Sequence, residues 1–226
     1  KAPYANYTVV NENGVIVKTL DLHLSKPIMM HDFSITTNYT IFMDLPLVFD
    51  PSNMAKRLDG GAFVFKPDEV ARFGVLPRHA TSTDEMVWFT VKPCAVFHVI
   101  NSYEMIVKSD AGEDHLIIVL HACRFTEIDL SNIDTTDGDL KNYNEVYQWK
   151  LNMTTGQVDL EEPLVKRPIG KEGECCLSGD FPQINGDLVG QKHRYCYLSR
   201  FSPEHNTKFD GIIKVDCEKG IIVDEF

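Results

Sequence analysis

Apolar and polar positions alternate with a period of two along most of the chain, the pattern of half-buried β-strands. Residues 7–10 and 15–22 flank a turn at Asn11-Glu12-Asn13-Gly14, with glycine where positive φ is easiest. Residues 27–46 read as two short runs about Thr37-Asn38, dense in β-branched and aromatic residues. On such a strand His31, Phe33 and Ile35 share one side and Asp32 and Ser34 the other, so His31 and Asp32 cannot bind one ion as neighbours. Residues 50–58 suggest a brief helical turn before Gly60-Gly61, and 62–65, 72–76 and 87–91 are further short strands. A long β-rich run over 94–107 turns at Ser109-Asp110-Ala111-Gly112 and returns over 116–122. Residues 128–142 are acidic and aperiodic, which predicts an exposed loop. Residues 147–152, a turn at 153–156 and a strand over 157–160 make a hairpin whose plan recurs at 211–216 and the turn 217–220. No segment sustains a helical period, so the chain is predicted to be all-β: a barrel, a sandwich or a propeller.

Composition narrows the classes without changing that picture. The 226 residues are 43% hydrophobic and 24% charged, as in a globular protein able to bury a sizeable core. The formal net charge of −11 argues against nucleic acid and against electrostatic docking to anionic lipid, though not against apolar dipping into a membrane. No apolar run reaches the roughly 20 residues of a membrane-spanning helix. The chain opens on Lys1 without a basic-then-apolar leader and stops at 221–226 in what reads as the middle of a strand. It is therefore expected to be an interior piece of a longer protein, one incomplete domain over 1–226. The six cysteines have no metal-finger spacing, and Cys175-Cys176 is the only close pair, which suits reduced thiols in an intracellular compartment. The sequons at Asn6, Asn38 and Asn152 are three-letter patterns expected by chance.

Candidate chemistry rests on two histidines. His31 sits in Pro27-Ile28-Met29-Met30-His31-Asp32-Phe33, and His98 in Phe97-His98-Val99-Ile100-Asn101-Ser102-Tyr103-Glu104. Each lies in an apolar β-run, with Phe97 and Val99 facing opposite to His98. Two readings stay open from the residues alone. Either both are hydrogen-bonded core histidines, or inner strands of different blades converge two neutral imidazoles on a propeller axis, where they suit Fe, Cu, Zn or Ni. No Gly-x-Ser-x-Gly elbow, His-Glu-x-x-His, phosphate loop or Cys-x-x-Cys is present. Asp137-Gly138-Asp139 lacks EF-hand spacing and reads as a solvated charge run. His79 and His205 fall in loops, His23, His115 and His121 match no ligand motif, and His193 in Lys192-His193-Arg194 reads as surface or structural.

The two histidine motifs resemble those of the carotenoid cleavage oxygenase family. So do Arg72-Phe73-Gly74-Val75-Leu76-Pro77 and, downstream, Asp180-Phe181-Pro182-Gln183-Ile184-Asn185 followed by Gly190 and Arg194-Tyr195-Cys196-Tyr197. The segments occur in the family's order across residues 27–216. The resemblance implies a seven-bladed β-propeller of which this chain supplies the middle blades. It implies iron(II) held by four histidines, with His31 and His98 as two of them and the others before Lys1 and after Phe226. The implied reaction splits a C=C bond of a carotenoid or apocarotenoid with dioxygen into two carbonyl products. Asp180 stands where many members carry a glutamate that accepts an N–H bond from a ligand histidine, one methylene longer than Asp. Phe97, beside a ligand, lines the implied apolar substrate tunnel or is ordinary core. Two other readings are a non-catalytic propeller module and an isomerohydrolase of the same family acting on a retinyl ester. Peripheral membrane contact for substrate uptake is compatible with the sequence, which does not distinguish plastid from cytoplasm.

Overall fold

The computed structural model describes residues 2–56, 61–130, 144–165, 178–202 and 205–226, without side-chain detail at 54–56 and 205–207. Cys175, Cys176, most of the acidic loop and Asp137-Gly138-Asp139 lie outside these. The strands are β1 (Ala5–Val10), β2 (Ile16–Leu22), β3 (Ser34–Ile35), β4 (Tyr39–Asp44), β5 (Leu47–Phe49), β6 (Phe63–Phe65), β7 (Ala71–Pro77) and β8 (Val87–Val91). They continue with β9 (Ala95–Lys108), β10 (Asp114–Phe125), β11 (Asn144–Asn152), β12 (Gln157–Pro163), β13 (Gly179–Gln183), β14 (Tyr195–Ser202), β15 (His205–Asp216) and β16 (Ile221–Glu225). A short helix, α1 (Pro51–Lys56), stands where the helical turn is predicted. Strand β15 begins at His205, a residue the sequence places in a loop.

Three four-stranded antiparallel sheets carry the architecture: β3-β4-β7-β8, then β9 to β12 in chain order, then β13 to β16 in chain order. Two-stranded sheets β1-β2 and β5-β6 flank them. Sequential up-and-down sheets of this size are propeller blades, and the chain folds as part of a seven-bladed β-propeller. The first strands of the three sheets, β3, β9 and β13, lie beside one another.

The middle sheet is buried on both faces, which explains the near-continuous apolar run of β10. Ile118, Leu120 and Ala122 join Trp149, Phe73 and Phe89 in a core shared with the first sheet. Cys123 joins Cys196, Leu198, Ile213 and Val215 in a second core shared with the third sheet. Phe73 meets Trp149 edge-on with ring centroids 5.1 Å apart, and both are fully buried. Among the described residues no helix is long and apolar enough to cross a membrane.

Candidate metal centre

Each of the three adjoining first strands contributes one polar group to a common site. His31 comes from the irregular segment leading into β3, His98 from β9 and Asp180 from β13. The His31 and His98 rings lie 5.1 Å apart between centroids and nearly perpendicular, at 87°. Two imidazoles on one ion through bonds of ~2 Å have centroids about 4.5–5 Å apart when the bonds diverge by roughly a right angle or a little more. This spacing suits two adjacent ligands of a single ion and is equally that of an edge-to-face ring pair. Within this chain His31 is exposed and His98 half-buried.

Asp180 lies against the His98 ring. Its Oδ1 lies 2.9 Å from His98 Nδ1, and the same oxygen accepts the Phe181 backbone N–H at 2.8 Å. A carboxylate at Nδ1 holds the ring proton there and leaves the Nε2 lone pair for a ligand role. Asp180 is 3% exposed, so this bond operates away from bulk water. Burial first, and then the Asp180 carboxylate beside it, push the Cys123 thiol well above its usual range. Phe181 is the only non-glycine residue with positive φ, at 54°, among those described. The unusual backbone lets its N–H turn back to Asp180 while its ring covers His98 at 4.6 Å. Phe209 continues the aromatic surface, 5.4 Å from Phe181.

The segment around His31 is placed by Asp32 and Glu104. Asp32 Oδ2 accepts the Val99 N–H at 2.9 Å and its Oδ1 accepts the Phe33 N–H at 2.8 Å. Glu104 accepts from Thr36 Oγ1 at 2.6 Å and from both the backbone N–H and the side chain of Asn38, at 2.7 and 2.9 Å. Burial acts to raise the Glu104 pKa, but those hydrogen bonds outweigh it and the net shift is downward. The turn about Thr37-Asn38 is thus fastened to β9, the strand that carries His98.

Phe97 and His98 both reach His31, although strict alternation would send them to opposite sides. Phe97 meets the His31 ring edge-on at 5.3 Å and Phe125 at 5.6 Å. The register of β9 against β10 shifts on both sides of this point, between His121 and Ala122 and between Ala122 and Arg124. Such bulges rotate successive side chains and occur preferentially at functional sites. Phe97 packs against an apolar cluster with Leu47, Ala95, Phe125 and Ile128, so one wall of the site is hydrophobic.

A second group of donors lies between the middle and third sheets, where sequence reasoning assigned none. His121, His193 and Cys217 approach one another closely, and His193 is 3% exposed rather than a surface residue. The Cys196 thiol first, with the two imidazoles that face the sulfur, outweighs burial and holds the Cys217 thiol well below its usual range. The alternation of His121 and Cys123 with Leu120 and Ala122 along β10 was the available signal, since it marks a polar stripe inside a doubly buried strand.

Three sheets meeting at a histidine pair with a carboxylate behind one ring define a propeller with a candidate metal centre on its axis side. The sequence profile of the retinal pigment epithelial membrane protein family matches residues 1–224. Carotenoid 9,10(9',10')-cleavage dioxygenase 1 of Phaseolus vulgaris is 36% identical over 216 residues, covering 95% of this chain and 36% of that protein. A variant of the Synechocystis apocarotenoid oxygenase superposes with a TM-score of 0.70 at 20% identity, covering 98% of this chain and 42% of that one. The lignostilbene dioxygenase of Pseudomonas brassicacearum also gives 0.70, at 17% identity, over 98% and 45% of the two chains. The chain belongs to the carotenoid cleavage oxygenase family. It spans just over a third of the length of the curated dioxygenase it matches.

Proposed function

We propose that the protein carrying this chain cleaves a C=C bond of a carotenoid or apocarotenoid with dioxygen, at an iron(II) ion held in part by His31 and His98. The observation that carries the reading is the perpendicular His31–His98 pair with Asp180 behind His98. The residues fit such an ion: two imidazoles at ligand spacing, one of them oriented through Nδ1 by a buried carboxylate. The family resemblance implies two further histidine ligands, which on this reading lie outside residues 1–226. The chemistry that iron(II) supplies when bound is activation of dioxygen for scission of one conjugated double bond into two carbonyl groups.

The chain's own residues act around that event. Asp180 keeps the His98 proton on Nδ1. Asp32 and Glu104 hold the His31 segment against β9. Phe97 and Phe181 give the apolar walls against which a polyene packs and from which water is excluded. The family kinship to carotenoid cleavage dioxygenases supports the substrate class.

The test uses the full-length protein with His31→Ala and His98→Ala. Both should lose bound iron and cleavage of a carotenoid or apocarotenoid, whereas His79→Ala, in an exposed loop, should keep both. Labelled dioxygen should appear in carbonyl products. Full iron and activity in His98→Ala would sink the assignment, and release of an isomerised alcohol from a retinyl ester would favour the isomerohydrolase instead. A wild-type protein that binds iron and turns over neither substrate would favour the non-catalytic module.

A further inference from the structure

The cluster between the middle and third sheets takes no part in the proposed cleavage. His121 on β10, His193 in the loop before β14 and Cys217 just after β15 each bring one donor atom to within 4.8 Å of the others. They are 2, 3 and 6% exposed. His121 Nδ1 and His193 Nε2 are fully buried and have no hydrogen-bond partner among the described residues. Such orphaned atoms are rare in folded proteins, and an ion is one of the few occupants that satisfies them. Cys196 Sγ stands 3.6 Å from Cys217 Sγ. Two thiolates on one tetrahedral zinc ion, each bonded at ~2.3 Å, lie about 3.8 Å apart.

We propose that His121, His193 and Cys217, with Cys196 beside them as the fourth donor, form a buried structural site for a zinc(II)-type ion. Sulfur with imidazole selects a thiophilic or borderline transition metal over magnesium or calcium, which take oxygen. Two thiolates and two neutral imidazoles cancel the charge of a divalent ion, so a neutral assembly is buried rather than a bare charge. Four protein donors leave no open position, which is the mark of a structural rather than a catalytic zinc site. The ion would tie the loop before β14 and the turn after β15 to the middle sheet. It shares no ligand with the proposed iron centre.

The metal-free alternative is also written in the geometry. Asn101 spends Nδ2 on the carbonyls of Leu188 and Gln191, at 3.0 and 2.8 Å, and also lies 3.1 Å from His193 Nδ1. With Nδ1 accepting there, the ring proton sits on Nε2; with an ion on Nε2 it moves to Nδ1, where it faces the Asn101 NH2 rather than an acceptor, a cost that metal binding has to outweigh. Donors on one tetrahedral zinc are about 3.3–3.8 Å apart, so metal entry draws His121, His193 and Cys217 together by up to about 1.5 Å from their 4.8 Å limit and brings Cys196, which now adjoins Cys217 alone, toward the imidazoles.

The experiment strips the full-length protein with chelator and titrates it with Co(II), then with Zn(II). One thiolate-to-cobalt charge-transfer band per chain should appear and be displaced by zinc. It should persist in His98→Ala, because the other centre has no sulfur donor, and in Cys123→Ser, which removes a buried thiol outside the cluster. It should fall by about half in Cys217→Ser, where the Cys196 thiolate remains, and vanish in the Cys196→Ser/Cys217→Ser double variant, and His193→Gln should weaken cobalt binding at least tenfold. Because Cys217→Ser could fail to fold, zinc-edge X-ray absorption of the His98→Ala protein gives an independent reading: sulfur scatterers at ~2.3 Å with nitrogen at ~2.0 Å support the site. A band that survives in the folded Cys196→Ser/Cys217→Ser double variant overturns it, as do scatterers without sulfur or a Cys196–Cys217 disulfide in place of the metal.

Discussion

Replacing Asp180 by Asn tests the candidate centre with the least change of shape. The His98 Nδ1–H and the Phe181 N–H converge on one oxygen, Oδ1. An Asn side chain that turned its NH2 to this point would face both donors, so its carbonyl must stay where the carboxylate oxygen was. The ring proton therefore remains on Nδ1 and the ligand nitrogen remains free. What is lost is charge. A hydrogen bond to a charged acceptor contributes about 1.5–3 kcal/mol, and one between neutral groups about 1. The difference of about 0.5–2 kcal/mol, together with the lost attraction between carboxylate and metal-bound ring, leads to a fall of about 10- to 100-fold in iron affinity or cleavage rate. Asp180→Ala differs in kind, since it leaves two partly buried donors unpaired, each costing at most about 1–3 kcal/mol, and should unfold earlier in denaturant. Asp180→Glu should be mild if the site takes up one methylene. The assays are iron per chain by metal analysis, cleavage rate, and denaturant midpoints to separate chemistry from folding. Unchanged iron and rate in Asp180→Asn would refute the role given to the carboxylate, and complete loss equal to that of Asp180→Ala would refute the argument that amide orientation is dictated by Phe181.

Asp32→Ala removes the acceptor of the Val99 and Phe33 N–H groups and should cost about 1–3 kcal/mol in denaturant unfolding; a larger relative loss of iron than of stability would mark its positioning role. Trp149→Ala empties a site with no exposed surface and should lower stability by about 3–5 kcal/mol, read as a shifted denaturant midpoint at unchanged slope. Glu104 has its pKa lowered in the folded chain, so the stability it lends is present above the ordinary value of 4.5 and is lost as pH falls below it. Glu104→Gln should accordingly flatten the acid limb of the stability–pH curve below about 4.5, and an acid limb identical to wild type would contradict the assignment.

Much of this was legible in the strand period. The runs at 87–91, 94–107 and 147–152 correspond to β8, β9 and β11 within a few residues at the ends, because half-buried strands state their faces directly. β13 and β14 escaped, since Gly179 and Pro182 break the apolar run of one, and alternation in the other is masked by Tyr195 and Tyr197, both partly exposed aromatics. His31 was read as a strand residue, but the ladder with β4 begins only at Ser34. The reason is Asp32: its side chain takes the backbone N–H groups of Phe33 and Val99, and so competes with strand pairing at that point. His98 and Asp180 were recognisable as motif residues, yet nothing in either motif gives the 2.9 Å between them. For the cluster of His121, His193 and Cys217 the sequence offered only the polar stripe of β10, since its members meet only when two sheets pack face to face.

That the three polar groups of the centre come from three separate sheets means no strand's own hydrogen bonds determine their spacing. The core of Phe73, Phe89 and Trp149 lies between the first and middle sheets and so sets how far His31 stands from His98. The core of Cys123, Leu198 and Val215 lies between the middle and third sheets and sets how far His98 stands from Asp180. The two packed layers therefore work as separate adjusting screws. Volume changes in one move His31 against His98, volume changes in the other move His98 against Asp180, and neither layer contains any of the three.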